Sequence, residues 1–305
     1  MPISRRNFVL SSALALGAIG VSARAAEPFK RTGKPSLRLS LAAYSFRQYF
    51  KDSSHKREGN VAAEKQIDLF QFIDYCADHG CVGAELTSYY FPSNPTREFL
   101  LKLKRHAFVR GIELSGTSVG NTFTVADAEK RKKEIAQTKS WIDNAALMGI
   151  PHIRVFAGNA EGQPFAAAKK NCIEALEECC AYAGERGVFL GIENHGGIVA
   201  EPDALIDIAK SVQSPWIGIN LDTGNFRTDD PYRDLERCAP YAVNVQLKTE
   251  IQPKGGKKGP ADLGRLVKIL RDANYQGYLV LEYEAAEDPY KAVPGVLMEL
   301  ARLTA

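Results

Sequence analysis

Val188-Phe189-Leu190-Gly191-Ile192-Glu193 is a short, unbroken apolar run that stops at Glu193-Asn194-His195 and two glycines, Gly196 and Gly197. A run of this length without polar alternation reads as a strand buried on both faces, as parallel strands are. The same form recurs along the chain. Candidate strands cover residues 39–45, 82–86, 112–117, 152–157, 188–193, 217–222, 243–248 and 278–283. Amphipathic stretches lie between them. Leu263, Leu266, Val267 and Leu270 share one helical face, as do Leu205, Ala209 and Val212, and so do Phe165, Cys172, Leu176 and Cys179. Gly80, Gly111, Gly149 and Gly187 close helices before strands, and Asp288-Pro289 opens the last one. Strands alternating with helices at this spacing are parallel and joined by crossovers. Eight such units in about 270 residues predict an α/β fold, the (β/α)8 TIM barrel. An open doubly wound sheet usually carries a Gly-rich phosphate turn after its first strand. Tyr44-Ser45-Phe46-Arg47 is not one.

The 305 residues are 45% hydrophobic and 25% charged, which excludes a disordered, collagen-like or disulfide-scaffold chain. The net charge of +3 has a local origin. Residues 1–25 hold Arg5, Arg6 and Arg24 and no acid, so they carry three of the 39 basic residues and none of the 36 acidic ones. The rest is balanced, which gives no argument for nucleic acid or an acidic membrane. Arg5-Arg6-Asn7-Phe8, a weakly apolar run to Val21 and Ala23-Arg24-Ala25 resemble a twin-arginine export signal. The run is too short and too rich in Ser and Gly to span hydrocarbon comfortably, so no stable membrane anchor is expected. The expected organisation is a signal over 1–25, a linker over 26–38 and one barrel domain over 39–305, located in the periplasm. Six cysteines show neither C-x-x-C nor zinc-finger spacing and read as core residues.

Two connections are long, 47–64 and 249–261, and both leave the carboxyl ends of strands, where barrel enzymes build sites. They read as lids or as solvated insertions, and Lys254, Lys257 and Lys258 as an exposed tip. Polar groups also end the last four strands, in Gly191-Ile192-Glu193-Asn194, Asn220-Leu221-Asp222-Thr223-Gly224-Asn225, Val245-Gln246-Leu247-Lys248 and Leu281-Glu282-Tyr283-Glu284. If Glu193, Asp222, Gln246 and Glu282 share inward parity, three carboxylates and an amide oxygen converge. Such carboxylates repel in a partly dry cavity, and a hard divalent ion removes the problem. Separate rim hydrogen bonds are the alternative for any one of them.

The ordered series GIEN, NLDTGN, VQLK and LEYE resembles the xylose isomerase-like TIM-barrel family, over about residues 37–303. The AELTSYYFP and RVFAG stretches belong to the same resemblance. It implies a sugar isomerase or epimerase with one divalent metal, Mn²⁺ or Mg²⁺ before Co²⁺ or Zn²⁺. The implied ligands are Glu193, Asp222, Gln246 and Glu282, with Glu193 and Glu282 also acting as the acid/base pair. Gln246 stands where a His is commoner, and Asn225 where many relatives place a substrate-contacting His. Glu284 has the parity of Glu282 but lies further out.

Removal of a proton next to a carbonyl would pass through an enediolate. His195, two positions past Glu193, reads as a base or hydroxyl-binding group, or as a loop hydrogen-bonder. Lys248 either reaches a substrate oxygen or pairs with Glu250. Glu85 and Arg154 either pair across the barrel or contact substrate, and Trp216 and Tyr44 read as packing. The expected partner is a small carbohydrate, unphosphorylated because of export, with room left for a homo-oligomer. The competing functions are a metal-dependent lyase or hydratase of keto-glycosides and a non-catalytic carbohydrate-binding barrel.

Overall fold

A computed structural model describes residues 27–54 and 61–305. The expected signal segment and residues 55–60 of the first long connection lie outside the described residues. The eight barrel strands are β1 (Ser36–Ala42), β2 (Gly83–Thr87), β3 (Glu113–Ser118), β4 (His152–Val155), β5 (Phe189–Glu193), β6 (Ile217–Asp222), β7 (Ala242–Leu247) and β8 (Gln276–Leu281). All are parallel, and pairing of β1 with both β2 and β8 closes the cylinder. The TIM barrel expected from the alternation is therefore the fold. β1 begins at Ser36, inside the expected linker. The residues before it are tied to the barrel: Phe29 N–H donates to Pro240 O, and Arg31 packs its guanidinium over Tyr275.

Eight α-helices cover the outside among the described residues: α1 (Leu69–Asp78), α2 (Arg97–Val109), α3 (Ala128–Met148), α4 (Phe165–Gly184), α5 (Pro202–Ser211), α6 (Pro231–Cys238), α7 (Leu263–Asp272) and α8 (Pro289–Thr304). Local chemistry fixes their ends. Asp68 and Gln71 form a reciprocal capping box at α1, satisfying two otherwise unpaired amides. Asp288 accepts from Tyr290 N–H, with Pro289 at the first position of α8. Gly149 ends α3 in the left-handed conformation at φ 78°, which a side chain would disfavour.

The apolar stripe of α7 and the Leu205, Ala209 and Val212 face are buried as expected. Phe165 departs from its expected face: it starts α4 and is 52% exposed, while Cys172, Leu176 and Cys179 are buried. Phe165 is the first residue of α4, directly after Pro164, where helical periodicity has only begun to set the facing of side chains. All six cysteines are buried and free, and Trp216 packs against Phe189. The long connection after β7 is a hairpin, Glu250–Ile251 paired with Gly259–Pro260, with its lysine-rich tip exposed. No helix among the described residues is long and apolar enough to cross a membrane.

Candidate active site

Strand register sets the height of each inward side chain. Glu193 pairs with Asn220, Asp222 with Gln246, and Gln246 with Val280. Glu282 N–H donates to Leu247 O, which carries the β7–β8 register up to Lys248 and Glu282. Two rings of polar side chains result, one above the other.

The upper ring lines a cavity of about 190 Å³ at the carboxyl ends of the strands. Glu193, Glu282 and Glu284 face it together with Arg154 and Lys248. Arg154 Nε lies 3.0 Å from Glu193 Oε2, and Asn225 donates to Glu193 Oε1 at 2.9 Å. Lys248 Nζ contacts one carboxylate oxygen each of Glu282 and Glu284, and lies 3.4 Å from Asp222 Oδ2. Asp222, fully buried below the cavity, accepts from Gly224 N–H through Oδ1. Its backbone is clamped by the Asn194 amide, which donates to Asp222 O and accepts from Asp222 N–H, both at 2.8 Å. Gly224 has a steric role: a Cβ there would lie 2.6 Å from Lys248 Cγ. The glycine of Asp222-Thr223-Gly224 thus leaves the channel through which the lysine stem rises.

Burial pushes the Glu193 carboxyl up to about 7, against the pull of Arg154 and helped by Glu282. Burial likewise raises Asp222, opposed by Lys248 and assisted by Glu193. His195, exposed at the cavity mouth, lies beside the Phe156 ring with 4.4 Å between centroids, and partial desolvation of its imidazole and then Arg154 lower its pKa. Tyr44, Tyr89 and Phe156 supply the apolar walls.

The lower ring is closed to solvent. Gln246 Nε2 donates to Glu85 Oε1 at 2.7 Å, and Asn220 Nδ2 donates to Gln246 Oε1 at 2.7 Å. Asn244 Nδ2 completes the circle, donating to Asn220 Oδ1 and Glu85 Oε2, each at 2.9 Å. Glu85 is fully buried with neutral amide partners, and burial first and Glu282 second push it up to about 8. His152, near this layer, is held neutral, its pKa lowered to about 4 by burial.

The residues singled out in sequence therefore divide. Glu193, Glu282, His195, Lys248, Asn225 and Arg154 share one cavity, with Asp222 directly beneath. Gln246 and Glu85 share the inward parity but turn into the lower ring. Arg154 pairs with Glu193 rather than with Glu85, because β5 neighbours β4 while β2 lies on its other side beyond β3. Lys248 pairs inward and not with Glu250, which Lys258 takes. Tyr44 proves to line the cavity. Tyr89, Phe156 and the amide ring were not singled out in sequence. The parity of Glu284 with Glu282 was visible, and both hold Lys248.

The ligand set expected for a divalent ion does not fit this arrangement. Gln246 Oε1 accepts from Asn220, Glu193 Oε1 accepts from Asn225, and Glu193 Oε2 lies at ion-pair distance from Arg154. Asp222 Oδ2, buried without a hydrogen-bond partner, faces the Lys248 ammonium at 3.4 Å. Lys248 Nζ fills the space between Asp222, Glu282 and Glu284. Among the described residues no three His, Cys, Asp or Glu side chains gather as metal ligands would. A dication about 4 Å from that ammonium would meet a repulsion of about 8 kcal/mol at an effective dielectric constant near 20.

Fold and cavity together define a (β/α)8 barrel with an acid-lined mouth, the class in which small-molecule chemistry is built at the carboxyl ends of strands. The xylose isomerase-like TIM-barrel profile matches residues 73–300, and the chain belongs to that family. An inosose dehydratase of Erwinia tasmaniensis is 23% identical over 265 residues, covering 75% of this chain and 86% of the relative. The solved 3-keto-D-glucoside 4-epimerase of E. coli superposes with a TM-score of 0.67 at 16% identity, covering 88% of this chain and all of that one. D-psicose 3-epimerase of Clostridium cellulolyticum H10 gives a TM-score of 0.65 at 15% identity, covering 86% and 89%. At these identities the structural matches speak for the fold.

Proposed function

We propose that the chain is an enzyme that moves a proton at the carbon beside a carbonyl in a keto-sugar, epimerising or isomerising it. The observation that carries this reading is the placement of Glu193 and Glu282. Both line one small cavity, from strands three places apart around an eight-stranded barrel. A carboxyl group held near pKa 7, as Glu193 is, is poised to accept and return a proton at neutral pH. Glu193 takes the proton from one face of the substrate, and Glu282 donates from the other. Charge developing on the carbonyl oxygen needs a fixed positive partner, and Arg154 and Lys248 are at hand. His195 and Asn225 suit hydroxyl groups. The cavity has room for about one sugar ring. The arginine pair near the N-terminus supports delivery outside the cytoplasm, and with it an unphosphorylated substrate.

A second reading is elimination from a keto-glycoside, started by the same proton removal. A larger cavity of about 770 Å³ favours it, because Tyr89 and Phe156 border both spaces and Trp141, Asn121 and Gln137 line the larger one. A leaving group or second sugar would lie there. The inosose dehydratase relative supports the same direction.

NMR of ketoses and 3-keto-glycosides incubated with the protein in D₂O tests both. Deuterium entering beside the carbonyl with the skeleton intact is the expected result. Deuterium entry with loss of the leaving group selects elimination. Ligand binding with no exchange on any member of the panel refutes the enzymatic reading.

A further inference from the structure

We infer that Lys248 is the built-in cation of this site, standing where a divalent ion would have to bind, so that the chain neither holds nor requires a metal. The inference rests on the proposed proton transfer for the role of the lysine, but not for the exclusion of metal.

Three independent features converge on Lys248. Its ammonium is in contact with Glu282 and Glu284 and 3.4 Å from Asp222, the three acids beside which an ion would sit. Its stem is accommodated by Gly224, where any Cβ would collide with Lys248 Cβ at 2.7 Å and Cγ at 2.6 Å. Its backbone N–H donates to Thr223 Oγ1 at 2.8 Å, which anchors the strand end from which the side chain departs. The lysine is therefore seated by neighbouring residues and is not a loose surface cation.

The fate of Gln246 completes the picture. A neutral imidazole at that place would offer a lone pair to an ion. A glutamine instead offers an amide NH₂ and an amide oxygen, and here the NH₂ donates to Glu85 while the oxygen accepts from Asn220 in the closed lower ring. The position has been given to the packing layer, and the charge has moved up two residues to Lys248. Arg154 serves Glu193 in the same way on the other side of the cavity.

In the reaction, the carbon–hydrogen bond beside the carbonyl breaks and its proton passes to Glu193. The electron pair moves into the carbonyl, and the oxygen becomes an enolate paired with the Lys248 ammonium. Glu282, entering the cycle protonated, returns its proton to the opposite face and restores the carbonyl. Exchange with solvent then deprotonates Glu193 and reprotonates Glu282, so neither proton nor electron is gained or lost overall.

The test uses the unmodified full chain first. Elemental analysis after purification without chelator should find less than about 0.1 divalent ion per chain, and calorimetric titration with MnCl₂ should show no saturable binding below ~1 mM. About one ion per chain, or a micromolar Kd for Mn²⁺, would overturn the inference whatever the substrate proves to be. Deuterium exchange into an active keto-sugar should continue unchanged in EDTA. Lys248→Met should lower that exchange by about 100-fold, with Lys248→Arg recovering part of it. A folded Lys248→Met protein exchanging at the native rate would overturn the assigned role. Absence of exchange by the native chain on every sugar would sink the proposed function, while the metal titration would still decide the exclusion.

Discussion

The two rings inside the barrel each hold buried carboxyl groups, Glu85 below and Glu193 and Glu282 above, and reach opposite ends. In the lower ring, Glu85 meets only amides, and burial pushes it up to about 8, so it is held as a neutral acid. In the upper ring, Glu193, Glu282 and Glu284 meet Arg154 and Lys248 and open on a cavity. A buried acid with amide partners closes a core layer; a buried acid with cation partners and access to solvent is available for chemistry. Partner chemistry and access to the cavity together separate the two.

The upper ring should respond first and most. Glu282→Gln keeps the shape and a partner for Lys248 but removes the proton donor. Formation of the inverted product should fall by about 100-fold or more with melting nearly unchanged, while exchange through Glu193 continues. A variant retaining full inversion would move the assignment to Glu284.

The lower ring should answer in stability instead. A raised folded-state pKa means the native protein binds the Glu85 proton more tightly than the unfolded chain does. The associated stability is complete below pH 4.5 and is lost as pH rises through about 8. Glu85→Gln stays neutral throughout. Its stability relative to the native chain should therefore rise by on the order of 3 kcal/mol between pH 5 and pH 8. Urea melts at both values would show it. An unchanged difference would mean that Glu85 is ionised at neutral pH.

Gly224→Ala probes the junction of the rings, where a methyl group displaces the Lys248 stem. A cost of about 1–3 kcal/mol is expected, together with slower exchange. Loss of stability with normal exchange would show that Lys248 can leave its seat without consequence.

The barrel was legible because eight apolar runs, each ending at a glycine or a polar group, repeat at even spacing. Most of the candidate site was legible for the same reason: Glu193, Asp222 and Glu282 end such runs. Height was not. Period-2 alternation says that Gln246 and Lys248 both point inward, but a flexible amide can turn down to Glu85 while a long ammonium reaches up to Glu284. The adjacency of β4 and β5 follows from the barrel itself, but alternation alone does not say that Arg154 leans to Glu193 on β5 and leaves Glu85 to the amides. Tyr89 and Phe156 escaped notice because an aromatic beside a strand end looks the same whether it packs or lines a cavity.

Proton transfer between two glutamates beside a fixed lysine charge is the centre of the proposed chemistry. Its most direct test is NMR of a 3-keto-glucoside in D₂O with the native chain under excess EDTA. Deuterium is expected beside the carbonyl at the rate seen without chelator, and none with Glu193→Gln. Exchange that stops in EDTA and returns with Mn²⁺ would contradict it.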